Sequence, residues 1–92
     1  MASLATESKV AAYDIGSNSI KLTIAAVSAD GAVLEEASDV ATVRLGQDVD
    51  KTGRLADDRV AAAFDALERM SGAVQAAGVT QSIGVATEAV RI

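Results

Sequence analysis

The chain has 92 residues, a net charge of −5, and no cysteine, histidine, proline or tryptophan. A chain of this length forms one small domain and buries only roughly 60% of the surface its unfolded form exposes. The missing residue types exclude a disulfide framework, a thiolate or imidazole metal site, and any Ser-His-Asp or Cys-His mechanism. The acidic balance argues against nonspecific nucleic-acid binding, which needs a basic face. It does not exclude a phosphate ligand, because a local site can be positive within an acidic protein.

No apolar run reaches the roughly 18 residues a membrane helix needs. Residues 1–9 lack the basic start and apolar stretch of a secretory signal and read as a flexible tail, ahead of a domain over 10–92. The expectation is a cytoplasmic chain with no membrane or nucleic-acid partner. The aromatic residues are Tyr13 and Phe64 alone, so Val, Ile, Leu and Ala must build the core.

Val10–Ile15 is a short apolar run ending at Gly16, consistent with a buried strand. Ser17-Asn18-Ser19 forms a tight turn. Ile20, Leu22, Ile24 and Ala26 then alternate with Lys21, Thr23, Ala25 and Val27, and that period of two marks a second strand. Asp30-Gly31 signals a hairpin. A third strand is predicted from Val33 to Leu45, with a bulge or exposed stretch around Glu35, Glu36 and Asp39. Gly46–Arg54 is a polar loop.

The period then changes. Val60, Phe64, Leu67, Met70, Val74 and Ala77 fall three or four residues apart, one apolar stripe of a helix starting near Ala56 or Asp57. Phe64 and Met70 are predicted core residues, with Asp65, Glu68 and Arg69 on the solvated face. Gly78 suits the left-handed position after the last turn. Ser82–Val90 is a fourth strand, parallel to its partner because the helix crosses back over the sheet. The fold class is α/β, in the order β-β-β-α-β, with three antiparallel strands and one parallel strand. One helix leaves one sheet face uncovered, as expected of a piece of a larger protein.

Three stretches can carry chemistry. In Asp14-Ile15-Gly16-Ser17-Asn18-Ser19 a carboxylate ends a buried strand. Gly16 allows a sharp turn and close ligand approach. Successive N–H groups with Ser and Asn donors can cradle phosphate oxygens, and Asp14 can hold a divalent cation or orient a water. The same residues also suit an ordinary hairpin turn in which Asp14 and Asn18 cap the backbone. Arg44-Leu45-Gly46 places a guanidinium fork, suited to phosphate, ahead of the polar loop; it also suits a solvated strand end. Asp48 and Asp50 resemble half of a calcium loop, but the glycine and terminal glutamate are absent at the required offsets. Ala86-Thr87-Glu88-Ala89-Val90-Arg91 leaves the last strand with a hydroxyl, an acid and a guanidinium. If the first and fourth strands are parallel, Asp14 and Arg91 emerge at one sheet edge, where open α/β sheets gather ligands. Alone, Glu88 and Arg91 also suit an exposed ion pair.

In this order and at this spacing, D-I-G-S-N-S at Asp14–Ser19, R-L-G at Arg44–Gly46 with T-G-R-L at Thr52–Leu55, and A-T-x-A-V-R at Ala86–Arg91 resemble one family. It is the N-terminal part of the exopolyphosphatase / guanosine pentaphosphate phosphohydrolase (Ppx/GppA) family. The first motif occurs in many members of the sugar-kinase, Hsp70 and actin superfamily; the full set is more specific. The resemblance implies a ribonuclease-H-like half-domain. It implies hydrolysis of the terminal phosphoanhydride of inorganic polyphosphate, or of the 5′ γ-phosphate of pppGpp, assisted by Mg2+ or another divalent cation. Guanosine penta- or tetraphosphate or polyphosphate is then the partner, and the longer protein a homodimer.

By the same resemblance Gly16, Ser17, Asn18 and Ser19 form the first phosphate loop, and Asp14 sits by the metal and its water. Arg91 contacts phosphate, and Arg44 is a weaker candidate for the same task. Glu88 stands where relatives vary and takes no role. The family's catalytic glutamate and second glycine-rich loop lie downstream of A-T-x-A-V-R, so the expectation is a phosphate-binding half-site that does not turn over alone. Two alternatives stay open. One is an ATP-dependent sugar- or acetate-type kinase, whose Gly-Thr is replaced here by Ser17-Asn18. The other is a phosphate or alarmone sensor without turnover.

Overall fold

The computed structural model describes residues 8–86. Strand β1 spans Ser8–Ile15, β2 Ser19–Val27 and β3 Val33–Thr42. A short helix α1 covers Val49–Thr52, a long helix α2 Asp57–Ala76, and β4 Gln81–Ala86. The sheet order is β3-β2-β1-β4. β1 is antiparallel to β2, β2 is antiparallel to β3, and β1 is parallel to β4. The predicted mixed sheet and its element order are therefore present, with α1 as an addition.

Alternation decides which face of the sheet is covered. Ile20, Leu22 and Ile24 of β2 are buried beneath α2 and join Ala11, Val43, Leu45, Ala63, Ala66 and Met70 in one core. Each fully buried Leu or Ile contributes about 1.5–3 kcal/mol. Register places Ala11 opposite Ile24 and Tyr13 opposite Leu22, so β1 extends the same apolar surface. β1 starts at Ser8, two residues ahead of the apolar run, because Ser8 and Lys9 pair with Val27 and Ala26. The rest of the expected tail lies outside the described residues.

The helix corrects one expectation. Met70 is fully buried, but Phe64 is 66% exposed. The buried positions are Ala63, Ala66 and Met70. The buried stripe runs through the small residues Ala63 and Ala66, which leaves Phe64 on the flank. Asp65, Glu68 and Arg69 are exposed as expected. Ala56 is the N-cap, and its carbonyl accepts from the N–H groups of Arg59 and Val60. At the other end Gly78 is left-handed (φ 76°), with Val79 N–H bonded to Val74 O and Gly78 N–H to Gln75 O. That is the Schellman pattern the glycine predicts.

The hairpin at Asp30-Gly31 forms with Gly31 at φ 89°. Its Gly31 N–H bonds Ser28 O at 2.9 Å. The Ser28 hydroxyl and Ala32 N–H both donate to Asp30, and these bonds hold its carboxyl below the usual carboxylate range. On β3 the register slips where Ile24 and Ala25 face Ala37 and Glu35, leaving Glu36 as the extra residue of a bulge. Glu36 bonds Lys9 at 3.1 Å, a bridge reaching from β3 to β1 past β2.

β3 ends at Thr42 rather than Leu45. Arg44 takes a left-handed conformation (φ 52°), which breaks the strand although Val43 and Leu45 on either side stay buried. The predicted polar loop holds the single-turn α1, anchored by buried Val49. The sheet face away from α2 is uncovered, with Ile83 65% and Val85 61% exposed. No helix among the described residues is long and apolar enough to cross a membrane.

Candidate functional site

The site is built where β1 turns into β2. Ile15 pairs with Ile20, and Gly16 N–H bonds Ser19 O at 2.9 Å, leaving Ser17 and Asn18 at the tip. Gly16 is not among the left-handed glycines, which are Gly31, Gly53 and Gly78. Its place in the turn therefore does not rest on a positive φ.

The second motif lies directly against the first. Arg44 N–H donates to Asn18 O at 2.9 Å, and Gly46 N–H donates to Ser17 O at 2.7 Å. Val43 and Leu45 are anchored in the core, and Arg59 of α2 donates from Nη1 to Val43 O at 3.2 Å. Residues 43–46 thus form a strap held by the core and by the helix, with the turn hanging on it. Ser17, Asn18, Arg44, Gly46 and Gln47 line a shallow cleft of about 380 Å³. A larger groove lined by Val10, Ala11, Gln81, Ser82 and Ile83 is apolar and lies toward the opposite end of β1, away from these donors.

Within the turn, Asn18 Nδ2 donates to Ser19 Oγ at 3.5 Å, and Ser19 Oγ lies 3.4 Å from Thr42 Oγ1. Arg44 makes no ion pair with an acid among the described residues. Its side chain is exposed at the cleft. Two residues of the cleft carried no role in the sequence reading, Gly46 and Gln47. The R-L-G spacing marks Gly46, but nothing in the sequence shows which backbone it touches.

Asp14 ends β1 on the uncovered side of the sheet, with Lys21 opposite on β2 and Val85 beside it on β4. It is exposed. Among the described residues no three acidic side chains come together as a metal cage. One carboxylate still suits Mg2+, which keeps most of its waters and takes remaining oxygens from substrate phosphates. Parallel pairing of Ile15 with Ala86 brings the end of β4 to the same sheet edge as Asp14 and the turn. Arg91 itself lies outside the described residues.

Element order and sheet order define a half-domain of the ribonuclease-H-like type. No protein-family model and no curated protein matches the chain, but solved structures do. The chain superposes on the Aquifex aeolicus Ppx/GppA family member over 92% of its length, with TM-score 0.89 and 35% identity. An exopolyphosphatase-like protein matches over 94% of the chain, with TM-score 0.84 and 40% identity. An exopolyphosphatase from Cytophaga hutchinsonii shares the fold at TM-score 0.83 and 24% identity. By fold and sequence together the chain matches the N-terminal part of Ppx/GppA family structures. It spans 28% of the length of the first of these proteins and 26% of each of the other two.

Proposed function

We propose that this chain supplies the first phosphate-binding half of a phosphohydrolase that cleaves the terminal phosphoanhydride of inorganic polyphosphate or the 5′ γ-phosphate of pppGpp. Gly16, Ser17, Asn18 and Ser19 form the phosphate loop, Gly16 closing it through its bond to Ser19 O and the other three offering donors to phosphate oxygens, and Arg44 adds charge at the margin of the cleft. Asp14 would hold Mg2+ or orient the attacking water, and Arg91 would contact phosphate. Water attacks the terminal phosphorus, the bridging P–O bond breaks, and inorganic phosphate leaves a product one phosphate shorter. Phosphoryl transfer asks the protein for positioning and charge neutralisation more than for covalent chemistry, and a chain without histidine can provide both.

The observation that supports this reading most is the pairing of the first two motifs. Two segments 25 or more residues apart in sequence meet through Arg44–Asn18 and Gly46–Ser17 backbone bonds, and together line one cleft. An ordinary hairpin turn needs no such strap.

Phosphate release from polyphosphate and from pppGpp, with and without Mg2+, tests the reading on this chain and on a longer parent form. The parent should release phosphate only with the cation, and the short chain should release none. Robust release by the short chain would overturn the half-site. Binding without hydrolysis by the parent would make the protein a sensor.

A further inference from the structure

We propose that Gly46 is a positioning residue for phosphate recognition, acting through Ser17. The inference rests on the phosphate-loop reading above and adds a residue to it.

The packing leaves no space at this glycine. A Cβ built on Gly46 would sit 2.8 Å from the Ser17 Cβ, a separation that bonded-chain neighbours apart real Cβ atoms essentially never show. The next nearest atoms, Ser17 O at 3.4 Å and Ser17 Cα at 3.5 Å, are at or near ordinary contact. The crowding therefore comes from one atom, the Ser17 Cβ. Gly46 is not left-handed, so an alanine there is unstrained in its own backbone and its cost is steric alone.

The contact also orients the turn. The described peptide bonds are all trans, so each carbonyl and the next N–H point in opposite directions. Ser17 O and Asn18 O are both directed at the strap, where Gly46 and Arg44 satisfy them. The N–H groups of Asn18 and Ser19 consequently lie on the far side of the turn from the strap. Tied at both carbonyls, the turn cannot shift without carrying these donors and the Ser17 and Asn18 side chains that line the cleft. The strap is not free to retreat, because Val43 and Leu45 are buried and Arg59 holds the Val43 carbonyl. A side chain at position 46 must therefore displace the turn, and with it the donors.

Binding of inorganic tripolyphosphate with Mg2+, measured by titration calorimetry on this chain and on the longer parent form, tests this with a double-mutant cycle. Gly46→Ala should weaken binding about tenfold, the scale of overpacking a tight contact. Ser17→Gly removes the opposing Cβ, so adding Gly46→Ala to it should change affinity by less than about twofold. A merely destabilising alanine would lower the melting temperature and leave the affinity of the folded protein unchanged. If wild type binds and Gly46→Ala binds equally tightly, or if its penalty persists undiminished beside Ser17→Gly, the positioning role falls. If neither wild-type form binds tripolyphosphate, the phosphate reading itself falls and takes the inference with it.

Discussion

Arg44 is a residue whose conformation and chemistry pull in opposite directions. A left-handed non-glycine residue costs roughly 1–2 kcal/mol. The strap imposes this cost because Val43 and Leu45 must both reach the core while the Arg44 N–H meets Asn18 O. A glycine would adopt the same φ without strain, offset by roughly 0.5–1 kcal/mol of extra unfolded-state freedom. Arg44→Gly should therefore leave the melting temperature unchanged or slightly raised. Loss of a charge-assisted bond, worth about 1.5–3 kcal/mol, should weaken tripolyphosphate binding about tenfold or more. Paired calorimetric melting and titration measure both signs; a large fall in stability would mean the side chain serves the fold instead. The guanidinium and its place two residues ahead of Gly46 are legible in the sequence. The left-handed φ is not, because it arises from burial on both sides of a residue that continues no regular element.

At the scale of elements, what the sequence disclosed follows the clarity of its periods. β2 has strict alternation and lies where expected, and the Asp30-Gly31 and Gly78 signals mark a real hairpin and a real helix stop. α2 was found, but its buried stripe was misassigned at Phe64. Side chains spaced three and four apart give two neighbouring stripes, and hydrophobicity selects the larger residue when close packing selects the smaller one. Ala63 and Ala66 take the buried positions and leave Phe64 beside the stripe, largely in water. The two residues should then differ sharply on truncation. Met70→Ala opens a cavity in a fully buried position and should cost about 2–5 kcal/mol. Phe64→Ala, mostly in water, should stay within about 1 kcal/mol. Urea denaturation of the two variants measures this, and a Phe64 loss equal to that of Met70 would restore the original stripe. The end of β3 was missed for a different reason. Val43 and Leu45 alternate like strand residues and are buried like them, but they hold the strap and not a ladder.

Across the whole molecule, stability and function share a gradient. β1 pairs on both edges, and β2 carries the fully buried Ile20 and Leu22. β3 is an edge strand with a bulge and little burial, and every residue of β4 but Ala86 is exposed. Local opening costs most where apolar burial and paired neighbours are densest. The Ser17–Asn18 turn joins the two best-supported strands, so the donors proposed for phosphate are fixed before any ligand arrives. Preorganisation of this kind reduces the ordering cost of binding. Native-state hydrogen exchange should accordingly find the slowest sheet amides among those of β1 and β2 that bond across the sheet. The amides of Leu34 and Glu36 on β3 and of Val85 on β4 should exchange far faster. If β3 instead proved as protected as β2, something beyond α2 would be covering the sheet, and the turn's rigidity would need another source than the hairpin that carries it.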